Sequence, residues 1–246
     1  GFKKLSSSGF VLSAADKLNA GDLALQVGTT ATTVDVTADA GQIQLQSNSG
    51  ERSDLISGKQ LNDVALNGRM VLDYVKLIPG VVSSFDGHAS GTGQLSAFNI
   101  NGTRGNEHEF TIDGSSNVDT GDNGGTHVTI NTDALAEVKV LTSNYQAEFG
   151  KAAGGQVILT TRGGTNQFHG DIRFFHRHEG LNAQNMFNGS EKYRYNYAGY
   201  QVGGPIKQNK LFFFWSQEFY LQLVPITGVT QFYTPTALER NGDFSQ

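Results

Sequence analysis

Cysteine is absent from this chain of 246 residues, which removes disulfides, thiolate metal sites and cysteine nucleophiles at once. Proline is scarce, at four residues, so the 31 glycines do not belong to a proline-rich linker and instead mark frequent tight turns between strands. An excess of positive charge is also missing: 18 Lys and Arg against 23 Asp and Glu give a net charge of -5. No basic field exists to hold a nucleic-acid backbone, and nucleic acid is excluded as a partner. Long apolar runs are lacking too. The longest, Leu211 to Trp215, is far short of the ~20 residues a membrane-crossing helix needs. Gly1 to Ser8 (GFKKLSSS) leads into no apolar stretch of signal-peptide length, so the expectation is a start inside a mature protein or an excised piece. No GxxxxGK[ST], GxSxG or GxGxxG pattern occurs, which leaves phosphate cradles and nucleophile elbows unsupported. The expectation is a non-enzyme without a cofactor.

What is present divides the chain unevenly. Of 25 aromatic residues, 8 fall in 1–167 and 17 in 168–246. In FHGDIRFFHRH (168–178) Phe168, Ile172 and Phe174 share one parity while His169, Asp171, Arg173 and Arg177 take the other, the period of a two-faced strand. LFFFWSQEFYLQL (211–223) repeats the rule with Leu211, Phe213, Trp215, Phe219, Leu221 and Leu223. Between them Tyr193, Tyr195 and Tyr197 share a parity that Tyr200 and Val202 leave, which predicts a bulge near Gly199, and GGPIKQNK (203–210) reads as the turn into the next strand. Such strands fit either a soluble sandwich core or the lipid-facing band of an outer-membrane barrel. Three strands cannot close a barrel, so the second reading requires a longer native chain.

The middle of the chain mixes periods. Asn67 is a candidate cap for a helix over 67–78 with Val71, Leu72, Val75 and Ile78 on one face, ended by Pro79-Gly80, and Asp73 is expected to tolerate Asn. Strands are expected at 97–101, 107–112, 136–142 and 155–161, with a helical turn near Thr132 to Ala136, which together make a small α+β unit. The first 38 residues read as the closing strands of a β-sandwich followed by an extended tail.

Two patterns offer metal-ligand side chains. His176 and His178 lie on one strand face beside Glu179, but sequence fixes no third ligand, and a solvated pair is the plainer reading. Asp113, Asp119 and Asp122 in a glycine-rich loop could offer hard oxygens to calcium, yet their spacing is not that of an EF-hand and Asp-Gly pairs are ordinary turn chemistry. No metal is assigned; His176, His178, Asp119 and Asp122 stay as weak candidates. TTVDVTA (Thr32, Thr33, Val34, Asp35, Val36, Thr37, Ala38) is β-branched, extended and without a local partner strand. It suits pairing with another protein's sheet edge, or equally an ordinary last strand of the preceding sandwich.

Four stretches together carry a resemblance. LNGRMVLDYVKLIPGV (66–81), FNINGTRGNEHEFTIDG (98–114), DALAEVKVLTSNYQAEFGKAAGGQVILTTRGGTNQFHG (133–170) and GGPIKQNKLFFFWSQE (203–218) resemble, in order, TonB-dependent outer-membrane transporters of the Oar-like branch with an N-terminal carboxypeptidase-regulatory-like domain. The resemblance implies the end of a β-sandwich and a TonB-box-like tail over 1–38, a plug domain over 39–167, and over 168–246 the first antiparallel strands of a transmembrane barrel of ~22 strands. It implies energy-coupled uptake with TonB and its inner-membrane complex as partner, outer-membrane lipid around the barrel, and the plug and N-terminal part facing the periplasm. The substrate would be a carbohydrate, a peptide or a metal chelate. The regulatory-like domain is not a peptidase in this family, so Glu179 inherits no catalytic role. Gly102, Arg104, Gly105, Asp113 and Gly114 resemble the plug-loop motifs, with Arg104 expected as a buried loop donor, whereas Asp35 interrupts a box that is usually more apolar. The competing classes are a non-transporting structural or adhesive outer-membrane protein and a soluble β-rich carbohydrate-binding module.

Overall fold

The computed structural model describes residues 4–8, 13–14, 16, 27–28, 33–37, 50–64, 66, 69–83, 95–181, 194–223 and 235–243. Strand β1 (Lys4–Ser8) pairs in parallel with β2 (Thr33–Thr37). Most of the expected sandwich end, with Asn67 and Tyr193, lies outside the described residues.

β3 (Arg52–Ser57) stops at Ser57, whose side chain caps the short helix α1 (Gly58–Asp63). The Ser57 hydroxyl accepts from the Gln60 amide, and Gln60 Oε1 accepts in return from the Ser57 amide at 2.9 Å, a capping box that satisfies two end donors. Helix α2 (Val71–Val75) is shorter than the expected 67–78. Arg69 has φ +50, a left-handed conformation that no helical turn contains, so the helix starts only after Met70. All five residues of α2 are buried, Asp73 included, so this turn is embedded and has no solvent face.

Strands β4 (Val81–Ser83) and β5 (Phe98–Ile100) form an antiparallel pair. β6 (His108–Ile112), β7 (Ser115–Ser116), β8 (Leu135–Ser143) and β9 (Gly155–Thr161) join β3 in a five-stranded sheet of order β3-β8-β9-β6-β7. β8 runs antiparallel to both β3 and β9, and β6 parallel to β9. The four strands expected in 97–161 are present within a residue or two of their bounds, and the helical turn before β8 is the 3-10 turn Thr132–Ala134, capped by Asn131 Oδ1 at 2.8 Å from the Asp133 amide. One face of this sheet carries Phe110, Leu135, Val138, Val140, Val157 and Leu159 into a core shared with Leu61, Leu72, Tyr74 and Val75. Each such aliphatic side chain contributes about 1.5–3 kcal/mol on burial. Tyr74 donates its hydroxyl to the Leu61 carbonyl at 2.6 Å, and Arg69 meets Asp133 at 2.7 Å, both pairs buried.

The last strands are β10 (His169–His178), β11 (Arg194–Lys207) and β12 (Leu211–Leu223), in that order in a separate sheet, followed by the helical turn α3 (Ala237–Arg240). β11 is one uninterrupted strand: Tyr195, Tyr197, Gly199 and Gln201 are buried while Tyr200, Val202 and Ile206 are exposed. Continuous alternation therefore explains the change of parity, and the bulge expected at Gly199 is not there. Residues 203–207 belong to the strand as well. The turn is confined to 208–210, closed by the Lys210 amide on the Lys207 carbonyl at 3.1 Å.

The chain divides into two compact units, 1–170 with 201–216, and 171–200 with 217–246. In the first, the linker after β9 is pinned to the β11–β12 turn: Asn166 Oδ1 accepts from the Asn209 amide at 2.7 Å and Asn166 Nδ2 donates to Asn209 Oδ1 at 2.8 Å. A Cβ on Gly164 would stand 2.2 Å from the Phe213 carbonyl oxygen, so this approach of linker to strand admits only glycine. In the second, Tyr220 packs on Tyr195 and Tyr197 at 5.8 and 5.3 Å between ring centres, and Phe175 on Tyr197 at 5.6 Å.

Candidate functional site

Three groups of residues were singled out by sequence, and the structure treats them differently. The TonB-box-like segment forms β2 over its inner five residues, while Thr32 and Ala38 lie outside the described residues. It does have a local partner: Val34 stands opposite Leu5 and Asp35 opposite Ser6 in β1. That parallel pairing was illegible because β1, KLSSS, has no apolar alternation.

The plug-loop residues lie in two turns flanking β6. Asn101 (φ +53) and Gly102 (φ +77) make the first, and Asn101 Nδ2 ties it to the Thr142 carbonyl at 2.8 Å. Arg104 is exposed and its guanidinium has no partner among the described residues, which corrects the expectation of a buried donor. The backbone amide of Arg104 donates to Glu107 Oε2 at 3.2 Å and its carbonyl accepts from the Glu107 amide at 3.1 Å, so the turn through Gly105 is held by Glu107 and the arginine head is left to solvent. In the second turn Asp113 (φ +48) and Gly114 (φ +82) reverse the chain into β7, a pair of left-handed residues for which Asp-Gly is suited. Both Asp113 oxygens are spent on Thr161, at 2.9 Å from its amide and 2.7 Å from its hydroxyl. Asp113 therefore fastens the end of β6 to the end of β9.

The metal candidates do not converge. Asp119 and Asp122 accept from the amides of Gly121 and Gly124 at 3.1 and 2.7 Å, which is turn chemistry. His176 and His178 have ring centres 6.1 Å apart, but His176 Nδ1 is bound to Asn196 Oδ1 at 2.6 Å and His178 Nδ1 accepts from the Gly180 amide at 3.0 Å. Among the described residues no three His, Asp or Glu side chains are placed to share an ion.

Buried polar side chains that sequence left unmarked include His108, Glu109 and Lys139. His108, in β6, bonds through Nε2 to the Phe98 carbonyl at 2.9 Å, and burial pushes its pKa down. Glu109 places Oε2 3.0 Å from Lys151 Nζ at the rim of a cavity of about 480 Å³ lined also by Thr111, Glu148 and Phe149. Lys139, in β8, is buried between Asp16 and Glu51 at 2.7 and 3.1 Å. In EVKVL its position alternates with core valines and so reads as solvent-facing. A second layer over that face buries it.

Together these features define a plug-like α+β domain followed at once by barrel strands with an outward apolar face. A family described as the TonB-dependent receptor plug domain matches residues 45–157, and one described as an outer membrane beta barrel domain matches 160–246. The TonB-dependent transporter Oar of Myxococcus xanthus is 30% identical over 129 residues, which cover 47% of this chain and 12% of Oar. The crystal structure of the siderophore receptor PirA from Acinetobacter baumannii matches with a TM-score of 0.53 at 20% identity, over 68% of this chain and 24% of PirA, a likeness of fold alone. The chain belongs to the TonB-dependent receptors and is a protein of the bacterial outer membrane. It spans only a small part of the length of either relative.

Proposed function

We propose that this chain is the N-terminal part of a TonB-dependent transporter whose plug gates energy-coupled uptake through a barrel begun by β10–β12. One observation carries the reading: a sheet domain with its own core passes within a few residues of linker into strands whose apolar side chains point outward. The division is 1–38 as the end of a regulatory-like sandwich with the box-like tail, 39–167 as plug and 168–246 as barrel, with the first two facing the periplasm. The protein moves its substrate without chemical conversion. Carbohydrate, peptide and metal chelate are the substrate classes. The exposed Arg104 head, on the loop with Gly102 and Gly105, is a plug-loop contact for an anionic group of that substrate.

TonB, driven by its inner-membrane complex, adds a strand to residues 32–38 and pulls. β1 occupies one edge of β2, and among the described residues the other edge is open. Added strands bind through main-chain donors and acceptors. Titrating the C-terminal domain of TonB against a peptide spanning 32–38 and its variants tests this. Val34→Pro, which removes a donor and fixes φ, is expected to abolish binding, and Asp35→Val to preserve or strengthen it. No binding of the unmodified peptide at high micromolar concentration overturns the assignment.

A further inference from the structure

We infer that Lys139 is a clamp that fastens both ends of the stretch carrying β2 to the interior of the plug sheet, and so sets how a pull on that stretch reaches the plug. The pulling part of this inference rests on the proposed TonB reading, while the clamp itself does not.

Lys139 lies midway along β8, opposite Leu55 of β3 and Ile158 of β9, on the face away from the valine core. Its side chain is 2% exposed. The ammonium reaches Asp16 Oδ1 at 2.7 Å and Glu51 Oε1 at 3.1 Å, and the Glu51 side chain is equally enclosed. Two residues away on the same face, Glu137 accepts from the Ala14 amide. Asp16 Oδ2 accepts in turn from the Ser13 amide at 3.1 Å, so the 13–16 turn is bound to β8 at two points. Taking an ammonium out of water costs several kcal/mol unless carboxylates replace the lost hydration, so the partners are a condition of Lys139 being buried at all.

Those partners come from opposite sides of β2 in sequence. Asp16 precedes it, and Glu51 follows it and directly precedes β3. The stretch between is therefore a loop closed at its base on a single nitrogen. Tension entering at 33–37 arrives at both ends of that loop, and both ends terminate on β8, which has a paired strand on either side. Without the clamp, the load would fall on β3 alone. β3 is an edge strand, and its register with β8 is already irregular between Arg52 and Ser53 at the end that would be pulled first. An edge strand loaded at its end parts one pair at a time. Holding Glu51 keeps β3 closed, and breaking that contact lets it peel from Arg52 onward.

Hydrogen exchange on the receptor in detergent tests the clamp, using Lys139→Met, which keeps the chain length and apolar stem, and the paired Asp16→Asn and Glu51→Gln. Lys139→Met is expected to speed exchange of amides in 13–16 and 50–57 about ten-fold, with β6 and β9 still protected. Asp16→Asn on the Lys139→Met background should add nothing further, whereas on the wild-type chain it loosens 13–16. Unchanged protection at 50–57 overturns the proposal. Equal acceleration across 108–112 and 155–161 does so too, because that is general destabilisation. An effect of Glu51→Gln without any effect of Asp16→Asn overturns the shared clamp. Failure of TonB to bind the 32–38 peptide, with the exchange pattern as expected, removes the pulling partner and leaves the clamp standing, so the two failures are distinguishable.

Discussion

β8 and β12 are written in the same alternating pattern and turn it in opposite directions. In β8 the valines at 138 and 140 are wholly enclosed. In β12 Trp215 and Leu221 are 55% and 71% exposed. The buried side of β11 holds Tyr195, Tyr197 and Gln201, groups with a polar end, and the Tyr220 ring packs on the two tyrosines. Period two thus identifies a strand but leaves open which medium its apolar face meets. In the plug that medium is protein; in a barrel it is lipid, whose chains take apolar side chains as readily as a core does.

Substitutions on the two faces sharpen the contrast. The largest effect is expected from Leu72→Asp, which places a carboxylate with no partner in the shared core of α2 and the sheet. A loss of about 3–5 kcal/mol is expected, visible in a urea titration as loss of the plug transition. Next comes Leu221→Arg on the outward face of β12. At bilayer midplane depth such a change costs about 2–4 kcal/mol. Folding into lipid vesicles should weaken while the plug transition stays in place. An unchanged vesicle-folding yield would mean that this face does not meet lipid.

A smaller change tests a second misjudgement of the plug helix, beside its length. Asp73 is enclosed and takes an ion pair from Lys76 at 2.6 Å. Asp73→Asn is therefore expected to cost about 1–3 kcal/mol, where a surface residue would cost almost nothing, and the same urea titration measures it. The error has a physical origin. Period 3.6 places Asp73 opposite Val71 and Val75, and a helix packed on one side would leave it in water. This helix is five residues long and covered all round. The strands were far more legible: β12 matches its expected bounds from alternation, and β9 from its run of strand-favouring residues. The loops were legible as turns, since Asp113-Gly114 and Asn101-Gly102 adopt the left-handed conformations those pairs favour. What sequence could not supply is long-range: the Arg69–Asp133 pair, the parallel partner of β2, and the Asp16 and Glu51 carboxylates on Lys139. Each depends on which distant segment covers a face, and no local period encodes that.

The smallest effect isolates the plug half through proton linkage at His108. Its Nε2–H donates to the Phe98 carbonyl at 2.9 Å, and burial, partly offset by that bond and by Glu107, holds its pKa below the ordinary histidine value. The folded plug therefore resists a proton that the unfolded chain accepts at about pH 6.5. Above that pH the ring is neutral in both states and the plug has its full stability. Below it the unfolded state binds more protons, so stability falls with pH until the folded pKa is reached. His108→Gln keeps a side-chain donor and cannot titrate. Thermal melts of both proteins at pH 7.5 and 5.5 should show a smaller drop for the variant, with carboxylate titration common to both and cancelling in the difference. Equal drops would mean that the buried ring takes up its proton as freely as an exposed one, and that the β6 end of the plug is open to water.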